Sequence, residues 1–139
     1  MSNDADQAYR AAVALIDTLR KTGGTALDLD AQTYRALEHI PPEIAQIRGL
    51  SSVNLNKTRV SDLSPLSALT GLQGLYLAQT RVSDLSPLSA LTGLRRLTLT
   101  QTGVSDLSPL SALTGLQQLR LTQTGASDLS PLSALTGLQ

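Results

Sequence analysis

The dodecapeptide Ser-Asp-Leu-Ser-Pro-Leu-Ser-Ala-Leu-Thr-Gly-Leu occurs four times without change, beginning at Ser61, Ser83, Ser105 and Ser127, so this part of the chain repeats every 22 residues. A fixed period of that length overrides any element-by-element reading, because every unit must take the same local structure and hand the chain on to the next in the same way. Within one unit the apolar positions Leu72, Leu75, Leu77, Val82, Leu85, Leu88 and Leu91 are separated by 3, 2, 5, 3, 3 and 3 residues. That pattern fits neither one long helix nor one long strand, so each unit must turn.

The segment Leu75-Tyr76-Leu77 alternates as a short strand does, with Leu75 and Leu77 facing one way and Gly74, Tyr76 and Ala78 the other. Further on, Ser86-Pro87-Leu88 reads as the start of a helical turn, with Ser as the cap and Pro at the first position, and Thr92-Gly93 as the turn that returns the chain to the next strand. Too few residues remain for more than about one turn of 3-10 or α structure. The unit is therefore a single coil of strand, turn and short helical arc, and successive coils stack through parallel strands about 4.8 Å apart. No coil can stand alone, because its apolar faces are covered only by its neighbours.

The spacing L-x-x-L-x-L, followed three positions on by a polar residue, resembles the 22-residue leucine-rich repeats of bacterial proteins such as the internalins, over roughly residues 25–139. The resemblance implies an α/β fold: a right-handed leucine-rich-repeat solenoid with a parallel β-sheet on the concave face, short 3-10 or helical arcs on the convex face, and an N-terminal α-helical cap. One departure stands out. The family usually has Asn where this chain has Thr58, Thr80, Thr102 and Thr124, and a hydroxyl has less to offer than an amide. The expectation is a threonine ladder that satisfies fewer backbone groups per coil.

Three segments follow from this pattern. Residues 1–24 form a capping helix, since Ala8, Tyr9, Ala12, Val13, Ile16 and Leu19 fall at helical spacing and Gly23-Gly24 stops the pattern. Residues 25–49 form a degenerate first coil, with Leu27 and Leu29 at strand positions, a longer helix expected over residues 31–39, and Pro41-Pro42 ending it. Residues 50–139 hold four regular units and, at Leu138-Gln139, the start of a fifth. No polar capping coil follows, which implies either that the chain is cut from a longer protein or that the open edge pairs with a second copy in a homodimer.

Composition removes several function classes. Lys plus Arg and Asp plus Glu both number 11, so the formal charge is zero and no global field draws the chain to nucleic acid or an anionic membrane. There is no cysteine, which excludes disulfides, thiolate zinc sites and a catalytic thiol. The start carries acids where a secretory signal carries basic residues, and no apolar run approaches a membrane span, so a soluble, cytoplasmic chain is expected. The one histidine, His39, has no accompanying nucleophile motif, and no phosphate-binding loop or zinc-protease signature is present. No enzyme, cofactor or metal centre is expected. The column Asp62, Asp84, Asp106 and Asp128 reads first as acceptors of backbone N–H groups at the turn into the arc, with weak calcium binding as the alternative.

Positions that vary between otherwise identical units are those the fold does not dictate, and they fall on the strand face and the loop after it. The face runs from acidic, at Asp28 and Asp30, to basic, at Arg96 and Arg120. The expected partner-binding residues are Asn54, Asn56, Tyr76, Arg96, Thr98 and Arg120, with Lys57, Arg59 and Arg81 on the loop rim. Tyr and Arg are the types most enriched at interface hot spots, which puts Tyr76, Arg96 and Arg120 first. The expected function is a protein-interaction module acting through preorganised shape and charge. The alternatives are a structural or engineered repeat scaffold with no dedicated ligand, or a regulatory fragment of a larger signalling protein.

Overall fold

A computed structural model describes residues 4–138; Met1 to Asn3, part of the acidic start, and Gln139, the last residue of the fifth unit's beginning, lie outside the described residues. One α-helix, α1 (Asp4–Thr22), is followed by five short strands, β1 (Ala26–Asp28), β2 (Ser52–Asn54), β3 (Gly74–Tyr76), β4 (Arg96–Thr98) and β5 (Gln118–Arg120). The strands pair in chain order, all parallel, and Leu27, Val53, Leu75, Leu97 and Leu119 stand in one register column. Opposite the sheet, a 3-10 turn recurs at Ser64–Leu66, Ser86–Leu88, Ser108–Leu110 and Ser130–Leu132. The chain is a leucine-rich-repeat solenoid, as the spacing of its leucines requires.

The core is a stack of aliphatic layers. Leu75, Leu77, Val82, Leu88 and Leu91 have no exposed surface, and neither do Leu99, Val104 and Leu110 in the coil that follows. Strand N–H groups reach sideways to the neighbouring coil, as Leu77 N does to Thr98 O at 2.9 Å and Leu99 N to Arg120 O at 2.9 Å. Apolar stacking and backbone pairing thus act along the same axis, so each coil is stabilised mainly by the coils beside it.

Helix α1 closes one end, burying Ala8, Ala12 and Ile16 against the first coil while its other side stays wet. Asp4 and Asp6 lie in its first turn and Arg20 and Lys21 in its last, the signs that complement the helix dipole. Gly23 ends it in the left-handed conformation (φ 75°), its N–H and that of Gly24 both donating to Leu19 O at 2.9 and 3.1 Å.

The first coil departs from the sequence expectation. Residues 31–39 hold no long helix, only a 3-10 turn at Gln32–Tyr34, and Pro41-Pro42 opens rather than ends a helical segment, a 3-10 helix at Pro42–Gln46. Proline at the first helical position costs no hydrogen bond and presets φ. Leu37 lies buried beyond the Gln32–Tyr34 turn, and its carbonyl receives Arg59 N at 2.7 Å, so this stretch is shaped by stacking on the second coil.

Two further details bear on the reading of the repeat, the first correcting it and the second adding to it. The Pro turns are not capped by Ser hydroxyls: Asp62 Oδ1 accepts Ser64 N at 2.9 Å, and Asp84, Asp106 and Asp128 accept Ser86, Ser108 and Ser130 N at 2.9–3.0 Å. The turn at Thr92-Gly93 is present as expected, Leu94 N donating to Leu91 O across it at 3.0 Å, but each unit has a second, left-handed turn that the spacing did not announce. It lies just after the strand, where Lys57, Gln79, Gln101 and Gln123 take φ of 58–65°, a region non-glycine side chains seldom enter. There Lys57, Gln79 and Gln101 donate their N–H groups to Ala78, Thr100 and Thr122 O of the next coil at 2.8–2.9 Å.

The threonines that follow form no ladder. Thr58, Thr80, Thr102 and Thr124 stack coil over coil, but each hydroxyl donates within its own coil, to Leu55, Leu77, Leu99 and Leu121 O at 2.7–2.8 Å. A single hydroxyl is therefore consumed in shaping the local turn, and the link between coils falls to the left-handed residue before it.

Candidate functional site

The in-register sheet sorts its outward residues into columns. Asp28, Asn54, Tyr76, Thr98 and Arg120 form one, and Ala26, Ser52, Gly74, Arg96 and Gln118 the one before it. Because every strand is held on both sides except the outermost two, these side chains project from a backbone with little freedom to adjust. Of the residues expected on this face, Asn54, Tyr76, Arg96, Thr98 and Arg120 all lie on strands and share one surface, while Asn56 follows β2.

Their states differ. Asn54 Oδ1 accepts Asn56 N at 3.0 Å, and Asn56 Oδ1 accepts Ala78 N from the next coil at 2.8 Å. The acceptor oxygens of both asparagines are thus already engaged in shaping and joining coils, which leaves the side-chain amide N–H groups as their remaining donors. At the acidic end Asp28 Oδ1 accepts Asp30 N at 2.9 Å, and Asp30 pairs with Arg35 at 2.8 Å. Arg96 and Arg120 are exposed, and no carboxylate among the described residues lies within ion-pair distance of either.

Tyr76 lies across its own strand. A Cβ placed on Gly74 would meet Tyr76 Oη at 3.3 Å, so the ring occupies the space that the missing side chain leaves. Around it lies a shallow hollow of about 240 Å³ lined by Ser51, Ser52, Gln73, Gly74, Tyr76, Arg95, Arg96 and Gln117. Arg95 and the equivalent Gln73 and Gln117 are absent from the sequence expectation, which admitted only positions alternating with the buried leucines. They sit one residue before the strands, and their common signal is a polar residue that changes within an otherwise constant unit.

The rim residues do not join this hollow. Lys57, Arg59 and Arg81 follow the strands; Lys57 is a left-handed residue whose N–H is spent on the sheet, and Arg59 lines a separate depression with Asp4, Gln7, Gln32, Thr33, Arg35 and Ala36.

On the convex side the carboxylates of Asp62, Asp84, Asp106 and Asp128 are each held below the usual 3.8. The largest cause is the Ser64 backbone N–H for Asp62 and the Ser108 backbone N–H for Asp106; for Asp84 and Asp128 it is the hydroxyl of Ser86 or Ser130. Neighbouring aspartates push back, and lose. Among the described residues no group of three or more His, Cys, Asp or Glu side chains is placed to hold a metal ion.

No protein-family model and no curated protein matches the sequence. Solved structures do. An internalin (inlF) from Listeria monocytogenes superposes on all of this chain with a TM-score of 0.82 at 32% identity, the match spanning 44% of that protein. An internalin C2 (inlC2) from the same species covers 70% of this chain at 34% identity and TM-score 0.66, spanning 43% of that protein. The leucine-rich-repeat protein LIC12759 from Leptospira interrogans covers 75% at 24% identity and TM-score 0.70, spanning 28% of it, which bears on fold alone. The chain thus corresponds to less than half the length of each. With the parallel sheet and the 22-residue coil, these likenesses make it a bacterial leucine-rich-repeat protein of the internalin-like repeat class. No helix among the described residues is long and apolar enough to cross a membrane.

Proposed function

We propose that the chain is a protein-interaction module that holds a macromolecular partner on its concave strand face. The observation that carries this reading is the distribution of variation. The arc is verbatim in four units, whereas the outward strand column reads Asn54, Tyr76, Thr98 and Arg120 on a backbone fixed in register. A rigid face with coil-specific chemistry binds at low ordering cost, and Tyr and Arg are the side chains best suited to anchor it. Binding of this kind needs no chemical step, in keeping with the absence from the sequence of any nucleophile–base signature.

Affinity capture tests it. The wild-type chain should recover one saturable partner that is lost on changing Tyr76 and Arg96 together to Ala and retained on changing the convex Ser67 and Ser89 to Ala. Capture indifferent to every strand-face change overturns the proposal and leaves the scaffold reading, which the verbatim repeats support independently. The edge of the last coil offers a separate, self-associating contact, supported by Leu129 at 54% exposure. Sedimentation across a concentration series tests it, and a strictly monomeric chain removes it.

A further inference from the structure

Charge on the strand face is divided unequally between its two ends. The acidic end is largely self-satisfied, through the Asp30–Arg35 pair and the Asp28 turn. The other end is not. Arg95, Arg96 and Arg120 are all exposed, and the described ion pairs involve Asp17 and Asp30 alone, so these three guanidinium groups meet no carboxylate. The column Asp62, Asp84, Asp106 and Asp128 cannot serve them, since it lies at the convex arc with its oxygens bonded to Ser N–H groups.

The hollow beside Arg95 and Arg96 is polar and open, lined by the Tyr76 ring, which lies over Gly74, and by Ser52, Gln73 and Gln117. From this arrangement we infer that the hollow seats a carboxylate side chain of an extended acidic segment on a protein partner. This rests on the concave-face reading and names the partner's chemistry. Guanidinium groups match carboxylates in shape and charge, and the flanking amides and hydroxyls supply further donors. Arg120, three coils on from Asn54 in the same column, extends the cationic ground for a second acidic residue. A nucleic acid fits less well, since the chain has no net charge, one aromatic side chain on this face and no continuous basic track.

The test uses the whole 139-residue chain and fluorescein-labelled octaglutamate, with octaglutamine and an oligothymidylate of equal length as comparators, in fluorescence anisotropy at low salt. Octaglutamate should bind best and weaken as salt rises. Arg95→Gln and Arg96→Gln should each weaken it about fivefold, the upper range for exposed ion pairs. Gly74→Val, which alters no charge, should weaken it several-fold by displacing Tyr76 and filling the hollow. Arg10→Gln with Arg48→Gln, two exposed sites elsewhere, should leave it unchanged.

The proposal falls if octaglutamate binds no better than octaglutamine, if the Arg10 and Arg48 changes weaken it as much, or if oligothymidylate binds more tightly through the same arginines. Circular dichroism of each variant separates misfolding from lost contact. Should octaglutamate fail while the captured partner is still lost on changing Tyr76, the concave-face reading stands and the acidic chemistry does not. Should capture ignore the strand face altogether, the wider reading falls whatever octaglutamate does.

Discussion

Leu107 and Leu129 occupy the same place in two identical dodecapeptides, yet Leu107 is 1% exposed and Leu129 54%. The difference lies wholly in what stands beside them. At the N-terminal end α1 lays Ala8, Ala12 and Ile16 over the first coil and Leu27 and Leu29 are sealed; in the last coil Leu119, Leu121, Leu132 and Leu138 are only partly covered. Burial in this molecule is a property of neighbours rather than of local sequence, and so is the stability that follows from it.

That comparison can be broken most forcefully at the covered end. Ile16→Asp places an unpaired carboxylate between α1 and the first coil, and a loss of about 4 kcal/mol or more is expected, read as a collapse of the denaturant midpoint. A small shift would mean that the helix is not what seals the stack. The next effect is a contrast between equivalent leucines. Leu99→Ala should cost about 2–5 kcal/mol, as deletions in close-packed cores do, whereas Leu121→Ala, at a half-covered site, should cost well under half of that. Appending one more 22-residue unit sharpens the point: in the lengthened chain the two substitutions should become equally damaging. A smaller contrast of the same kind concerns Thr80, 7% exposed, and its half-buried equivalent Thr124. Thr80→Val removes the bond to Leu77 O and should cost about 1 kcal/mol, and Thr124→Val should cost less because water can replace the lost donor. Equal costs in thermal unfolding would count against neighbour-controlled burial.

Much of this was legible in the sequence because periodicity speaks directly about stacking. The interval between Leu75, Leu97 and Leu119 implied parallel strands in register, and the helical spacing of Ala8, Ala12 and Ile16 implied a cap. The misreadings fall where backbone geometry is set by partners rather than by the residue itself. Residues 31–39 have no repeat to calibrate them, and stacking overrides their helical spacing. Lys57 and Gln79 carry no outward mark of a left-handed residue, a conformation for which Gly, Asn or Asp would be expected; they adopt it because the following coil takes up their N–H groups. At the strand face the alternation pointed to Tyr76 and Arg96 but not to Arg95, since a residue just before a three-residue strand has no phase of its own.

The smallest expected effect concerns charge, and it separates the arcs from the helix. Asp62, Asp84, Asp106 and Asp128 titrate below 3.8 because the carboxylate receives Ser N–H and hydroxyl donors. Asp17 on α1 does so because of Arg20 and Lys21. A folded-state value below the unfolded one means that stability is fully present above about pH 4 and is lost as the pH falls through the lowered values. Four such groups lie on the arcs and one on the helix, so acid should loosen the coils before α1. Changing all four arc aspartates to Asn keeps an acceptor oxygen at each turn but removes the titration. Melting temperature below pH 4 should therefore fall in the wild type and stay nearly level in the fourfold variant, while Asp17→Asn alone should leave the wild-type slope almost intact. If the wild type and the fourfold variant lose stability in parallel, the arc carboxylates are bystanders and the turns are held by stacking alone.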